Sequence, residues 1–481
     1  MKEMNRISRT ACAALLAAGL PVLSFAQGDF VVVPGANGVP VVGPGVGAAP
    51  GLSAPVNSAN LLTPATLRFQ SQMQGLHRFG GVAQKSFLDR LYENNRNAMA
   101  LTAPGAKDPR TPKAAPIKFK DLIIQRANFS EKTDISQILV DVIDRAESTL
   151  DLALHGLKLP NVTQALLRAK ARGVTIRIVM NYTHVFPEHS GETVTDDIKI
   201  LMDNKFDMRT LRGTGPYGVM HNKIIIADHQ ILKFGSFNWT TAAAQRNYEN
   251  AVFSDSAKKI SRYEKHYEDL WKDARPVTEG PLSYTLLAAD PQPPAPAGSE
   301  DSVTYNGETF QSEMWSPLGG VQKALLKAIH ASKKDISLAM FSLNADPLVT
   351  ALIEARDRGV KVRIVVDKSQ AVGPSVRPAI KKLMDAKMDL LWSAGHEPKS
   401  VMHNKFAVFD RKMLEVGSYN WTGNAEEHNF ENANFIDDAE LIADFLAEFD
   451  DIYKVGTTPT PKEAAEIELL VGAGHYDPMH D

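Results

Sequence analysis

The stretch "HNKIIIADHQILKFGSFNWT" at residues 221–240 decides the reading of this chain, because it returns as "HNKFAVFDRKMLEVGSYNWT" at residues 403–422. The copies lie 182 positions apart (403 against 221) and share the spacing H-x-K-x4-D-x6-G-S-x-N-W-T. A second match follows each, "NYENA" at 247–251 and "NFENA" at 429–433. The apolar runs 224–227 and 406–409 predict buried strands, so His221 and Lys223 share one side and Asn222 takes the other. Asp228 and Asp410 open the turns "DHQ" and "DRK", which lead into second strands at 231–234 and 413–416. Gly235-Ser236 and Gly417-Ser418 let the backbone turn closely. Asn238 and Asn420 then offer amide donors near the same strand end.

The repetition extends outward from this core. "LDLALHGL" (150–157) matches "ISLAMFSL" (336–343), and "ARGVTIRIVMN" (171–181) matches "DRGVKVRIVVD" (357–367). "ILMDNKFDM" (200–208) matches "KLMDAKMDL" (382–390). The offset is 186 before loop 182–196 and 182 after it, which makes that loop four residues longer in the first copy. Leu150, Leu152 and Leu154 alternate, as do Ile336, Leu338 and Met340, and helix-stop glycines precede further alternating runs. The fold class expected is α/β: two tandem α/β sandwich repeats packed pseudo-symmetrically. A two-fold relation between them would bring equivalent loops to one shared active-site cleft.

The expected boundaries are repeat 1 at 118–275, a Pro-rich linker at 276–304, repeat 2 at 305–456 and a tail at 457–481. Residues 1–26 read as a secretory signal peptide, with Lys2, Arg6 and Arg9 ahead of an apolar run and Ser24 and Ala26 before the cut. Residues 27–117 read as a flexible Gly/Pro/Ala-rich leader, with helical spacing of Phe87, Leu88 and Leu91. Cys12, the single cysteine, would leave with the signal peptide, so no disulfide or thiol chemistry is expected. The formal charge of −3 over 481 residues excludes a globally basic nucleic-acid binder. The expected location is the periplasm or outside the cell.

Two histidines, two lysines and two asparagines facing each other would suit a phosphodiester. Lysine and asparagine donors would neutralise non-bridging oxygens as charge builds. One histidine could attack phosphorus while the other protonates the leaving oxygen and later activates water. Glu249 and Glu431 are the carboxylate partners expected to orient the rings, and Ser236 and Ser418 could add a hydroxyl hydrogen bond. Asp228 and Asp410 read as turn braces more readily than as chemical groups. Trp239 and Trp421 read as packing residues, His184 and His189 as solvated loop residues, and Lys258-Lys259 and Lys381-Lys382 as solvated helix faces. A metal site from His221 with Asp228 is not expected, because that spacing serves opposite ends of a strand.

On both complete H-x-K-x4-D and G-S-x-N signatures, over roughly 300 residues, the sequence resembles the phospholipase D superfamily. "GSFNWT" and "GSYNWT" with the following N-x-E-N resemble most the branch of small bacterial endonucleases and mitochondrial cardiolipin hydrolases, whose members carry one motif per chain and dimerise. The resemblance implies a phosphohistidine intermediate, no metal or other cofactor, and one site built from both halves. By that resemblance the family's histidines, lysines and asparagines map onto His221, Lys223, Asn238, His403, Lys405 and Asn420. With the residues read above, the expected catalytic set is His221, Lys223, Asp228, His403, Lys405, Asp410, Glu249 and Glu431, and the expected phosphate-binding set is Lys223, Asn238, Ser236, Lys405, Asn420 and Ser418. It implies His221 as the attacking ring and His403 as the acid/base. The expected partner is phospholipid at a membrane surface or, alternatively, nucleic acid. No obligate protein partner is expected, and the chain should be a monomer with an internal pseudo-dimer. The competing readings are a metal-independent secreted endonuclease and a non-catalytic phosphate- or nucleic-acid-binding duplicate.

Overall fold

The computed structural model describes residues 31–34, 40–43, 113–187, 193–215, 217–282, 301–397 and 399–472. The signal-peptide stretch, the helical spacing around Phe87 and His189 lie outside the described residues. Within the leader, Val31–Pro34 pairs antiparallel with Pro40–Gly43, so a segment whose prolines and glycines argue against strands carries one short hairpin. This segment belongs to a unit separate from the repeats.

The first repeat runs β1 (Ala127–Phe129), α1 (Ile135–Arg145), β2 (Thr149–Leu154), α2 (Pro160–Ala171), β3 (Thr175–Asn181), α3 (Tyr182–Val185), α4 (Asp196–Asp203), β4 (Asp207–Leu211), β5 (Lys223–Ala227), β6 (Ile231–Phe234), β7 (Asn250–Ser254), α5 (Ala257–Asp273) and β8 (Arg275–Pro276). Its strands form one sheet in the order β8-β4-β3-β2-β5-β6-β7-β1. The second repeat runs β9 (Glu313–Ser316), α6 (Val321–Ala331), β10 (Asp335–Met340), α7 (Asp346–Asp357), β11 (Lys361–Asp367), α8 (Arg377–Asp385), β12 (Asp389–Ser393), β13 (Lys405–Phe409), β14 (Met413–Gly417), β15 (Glu431–Ile436) and α9 (Ala439–Val455). Its sheet has the order β9-β15-β14-β13-β10-β11-β12. The helical crossovers make β2, β3 and β4 parallel, and likewise β10, β11 and β12. Each signature strand joins antiparallel at the sheet centre, β5 on β2 and β13 on β10.

Both faces of these central strands are buried, which explains their unbroken apolar runs. In β5, Ile225 and Ala227 enter a core with α1 and α2, while Ile224 and Ile226 enter a second core. In β13, Ala407 and Phe409 face α6 and α7, while Phe406 and Val408 enter that same second core. The shared core also takes Tyr263 and Tyr267 of α5 and Phe445 and Phe449 of α9. The two sheets are therefore joined by one continuous apolar layer, and the repeats cannot be separated without exposing it.

Lys259, expected on a solvated face, is instead largely buried and pairs with Glu313 of β9, which Arg262 also holds at 2.5 Å. Lys381 follows the surface reading, pairing with Asp385 at 2.8 Å. Beyond the second repeat, Pro461–Gly472 is a helix that buries Ile467 in the outer core of repeat 2. Among the described residues no helix is long and apolar enough to cross a membrane.

Candidate active site

The two signatures meet where the ends of β5 and β13 approach the opposite repeat. Met220 bridges to Phe430 and Tyr248 to Met402, each as a parallel pair between repeats. The His221 amide donates to the Phe430 carbonyl at 3.0 Å, and the His403 amide to Tyr248 at 2.9 Å. The glutamates follow one residue after these bridges, so each reaches across to the other repeat's histidine. Nδ1 of His221 lies 2.8 and 2.9 Å from the two carboxylate oxygens of Glu431. Nδ1 of His403 lies 2.9 Å from Glu249. The pairs are therefore crossed, 221 with 431 and 403 with 249. Neither repeat holds a complete histidine–glutamate pair of its own. The crossing leaves Nε2 as the ring nitrogen not engaged by a carboxylate, in both histidines.

Asparagines lock the crossing in place. Asn432 Nδ2 donates to Asn222 Oδ1 at 2.8 Å, and Asn250 Nδ2 donates to Asn404 Oδ1 at 2.7 Å. A side chain at Gly417 would place its Cβ 2.0 Å from the Asn432 carbonyl, and at Gly235, where φ is +119°, 2.6 Å from Asn250 Oδ1. The lysines begin the strands, fully buried. Lys223 Nζ donates to the His221 carbonyl at 2.5 Å and Lys405 Nζ to the His403 carbonyl at 2.8 Å. Oδ1 of Asn238 and of Asn420 is buried without a hydrogen-bond partner among the described residues.

Two members of the expected set, Asp228 and Asp410, lie away from this pocket. Asp228 and Asp410 follow the far ends of β5 and β13. Asp228 accepts from the amides of Glu147, Ser148 and Thr149, and Asp410 from those of Lys333, Lys334 and Asp335. They fix left-handed hairpin turns (φ +52° and +49°) rather than meet a ligand. Ser236 and Ser418 are fully buried, and their hydroxyls accept from the amides of Asn250 and Asn432 at 2.9 and 3.0 Å. They brace the strand at each glutamate, and Ser418 also hydrogen-bonds the Glu431 carboxylate. Trp239 and Trp421 are fully buried in the outer cores of their repeats. His184 departs from its solvated reading: its ring packs edge-on against His155 with centroids 4.6 Å apart.

Burial governs the charges. It pushes both histidines down, His403 to about 4 and His221 well below its ordinary value, with Lys223 and Lys405 adding to the effect on His221. It lowers Lys405 to about 7 and Lys223 strongly, against the pull of Glu431 and Glu249. It lifts Glu431 to about 7, although Lys223 opposes this. Two glutamates, two lysines and two imidazoles thus share one largely buried space, where an entering phosphodiester would supply the lysines with an anion.

Several residues around the pocket escape motif reading. His155 packs edge-on against His221 at 4.9 Å, whereas its counterpart Phe341 packs on His403 at 4.5 Å. Asn181 accepts the Met220 amide, while the matching Asp367 accepts that of Met402. Lys233 of β6 and Glu415 of β14 occupy equivalent positions, a base against an acid, both fully buried, which lowers Lys233 to about 7 and raises Glu415 to about 8. The signal for this last pair is legible in the sequence, "ILKFG" against "MLEVG".

A family model described as "Cardiolipin synthase, PLD-like domain" matches residues 139–271 and again 325–453, together more than half of the chain. The chain belongs to the phospholipase D superfamily. It is a phosphodiesterase of that superfamily by its matches to curated relatives. It is 29% identical over 174 residues to the mitochondrial cardiolipin hydrolase of Mus musculus, covering 35% of this chain and 69% of the relative. It is 29% identical over 145 residues to a phospholipase D of Rickettsia prowazekii (strain Madrid E), covering 30% of this chain and 68% of the relative. The phosphatidylserine synthase of Haemophilus influenzae Rd KW20 shares the fold at 11% identity, with a TM-score of 0.55 over 71% of this chain and 89% of that one. The superfamily's paired-repeat architecture is thus present within one chain here.

Proposed function

We propose that the crossed pocket hydrolyses phospholipid phosphodiesters by double displacement through a phosphohistidine. The crossed His221–Glu431 and His403–Glu249 pairs carry this reading, because they bring two imidazoles, each with Nε2 available, into one site. In the first step one Nε2 lone pair forms a bond to phosphorus, and the P–O bond to the leaving group breaks. The leaving oxygen takes a proton from the other imidazole. In the second step that imidazole accepts a proton from water as the water oxygen bonds to phosphorus. The N–P bond then breaks and its electron pair returns to the first ring. Lys223 and Lys405, with the amides of Asn238 and Asn420, hold the non-bridging oxygens throughout.

Phospholipid as substrate is supported by the printed activities of the relatives, cardiolipin hydrolase and phospholipase D. The export expected from residues 1–26 and the acidic net charge of −3 favour it over a polyanionic nucleic acid. The test is incubation of the purified protein, in EDTA, with cardiolipin or phosphatidylcholine vesicles and separately with plasmid and single-stranded DNA. Release of the phospholipid product without nicking supports the reading. Nicking without lipid turnover replaces it with a nuclease, and no turnover of either class favours a binding module.

A further inference from the structure

The first asparagine of each N-x-E-N makes contacts that the spacing alone does not reveal. Asn429 is buried where the second repeat meets the chain leading into His221. Its Oδ1 accepts from the Val219 amide at 3.1 Å. The Phe430 amide then donates to the Val219 carbonyl at 2.9 Å, and the His221 amide to the Phe430 carbonyl at 3.0 Å. The asparagine side chain thus supplies the first rung of a three-bond seam between the repeats. Asn247 supplies the same rung on the other side. Its Oδ1 accepts from the Val401 amide at 3.2 Å, ahead of the bonds made by Tyr248 and His403.

Beyond the seam the halves differ. Asn429 Nδ2 donates to Glu431 Oε1 at 3.1 Å. Asn424 Nδ2 gives Asn429 Oδ1 a second donor at 3.0 Å, so the oxygen faces donors and the NH2 faces the carboxylate. The backbone is pinned as well. Ser316 Oγ of β9 donates to the Asn429 carbonyl at 2.9 Å, and the Asn429 amide donates to the Asn424 carbonyl at 3.0 Å. Asn247 makes no such bond to Glu249, whose Oε1 is buried without a partner among the described residues. One amide therefore grips both the carboxylate and the opposite chain in one half of the pocket, and only the chain in the other.

We propose, resting on the reaction proposed above, that Asn429 is a positioning residue: it holds the Glu431 carboxylate against His221 and fixes the chain that carries His221. A neutral amide suits the place. It donates to the carboxylate without adding a cation to Lys223 and Lys405, which also face Glu431, as does the Ser418 hydroxyl. Burial lifts Glu431 to about 7, and the Asn429 N–H favours its ionised form. Asn247 shows what an asparagine that only joins the chain looks like.

Asn429→Asp tests the contact, because it keeps an oxygen for the Val219 amide and turns an oxygen instead of an NH2 towards Glu431. Product release by the full chain is measured across pH from cardiolipin vesicles, or from plasmid DNA if lipid is not turned over. We expect Asn429→Asp to lower kcat about 10- to 100-fold with KM little changed. Its acid limb should move to higher pH, because a second carboxylate raises the proton affinity of Glu431. Asn247→Asp should lose less. The decisive comparison is between backgrounds. In Glu431→Gln, adding Asn429→Asp should cost nothing further, whereas in Glu249→Gln it should cost the full factor. An equal further loss in both backgrounds, or a lowered melting temperature with the acid limb unmoved, assigns Asn429 a structural role and overturns the proposal. Full activity in Glu431→Gln contradicts the crossed pairs themselves, and the proposal falls with them. A wild type inert towards both substrates removes the reaction and the proposal together.

Discussion

The two repeats share the groups that face the pocket and differ in the groups behind them. Both supply a histidine, a lysine, an asparagine and a glutamate, and both glutamates cross to the other repeat. Behind these, repeat 1 places His155, Asn181 and Lys233 where repeat 2 places Phe341, Asp367 and Glu415. A duplicated site can keep its ligand-facing geometry and still become unequal, because a buried charge acts through a low-dielectric interior without touching substrate.

The largest test of the matched layer is removal of either imidazole. His221→Asn and His403→Asn should each lower phospholipid turnover by about 10^4-fold, measured by product release. Retention of activity by either one would mean that its repeat is dispensable. Glu431→Gln and Glu249→Gln should each cost about 10^2- to 10^4-fold in kcat with KM little changed, since the amide can favour the wrong tautomer of the facing ring. An effect from only one of them would break the symmetry of the crossed pairs.

The turn aspartates should behave differently from the pocket residues. Asp228→Ala should lower stability by about 2–3 kcal/mol, read by denaturant unfolding, while activity per folded molecule stays near wild type. Burial disfavours the Asp228 carboxylate, but the amides of Glu147, Ser148 and Thr149 outweigh this and hold it at about 2, below the ordinary 3.8. Its contribution is therefore complete above about pH 4 and lost as pH falls through about 2, and the acid-unfolding profile of the variant should be flatter there. The smallest effect concerns the tryptophans. Trp421→Phe should cost about 1 kcal/mol more than Trp239→Phe, because only Trp421 donates to a glutamate. Equal costs would mean that the indole of Trp239 is satisfied after all.

Much of this architecture is legible in the sequence. Strand alternation at Leu150, Leu152 and Leu154, the fixed offset and the two signatures lead to paired α/β repeats, because burial on both faces of a central strand leaves a plain apolar run. The pairing of histidines with glutamates follows from chemistry, but not the crossing, which depends on Met220 and Met402 bridging to the opposite chain segment. The place of the hydroxyls is hidden for a similar reason: a serine near a motif reads alike whether its acceptor atoms face a ligand or a backbone amide. Asp228 and Asp410, by contrast, are legible as turn braces from the turns they open. Lys259 reads as a surface residue until α5 is packed against β9 and its ammonium meets Glu313. Lys233 could have been noticed, since a lysine inside an apolar strand facing a glutamate at the matched position is a local inconsistency.

The central claim is that two signatures make one site. Rapid-quench measurement of 4-nitrophenol released from dioctanoylphosphatidyl-4-nitrophenol, paired with intact mass of the quenched chain, counts the sites directly. One equivalent of burst and a single adduct per chain are expected. Two equivalents, with adducts on both histidines of the same molecule, would show that each repeat works alone and would contradict the crossed pocket.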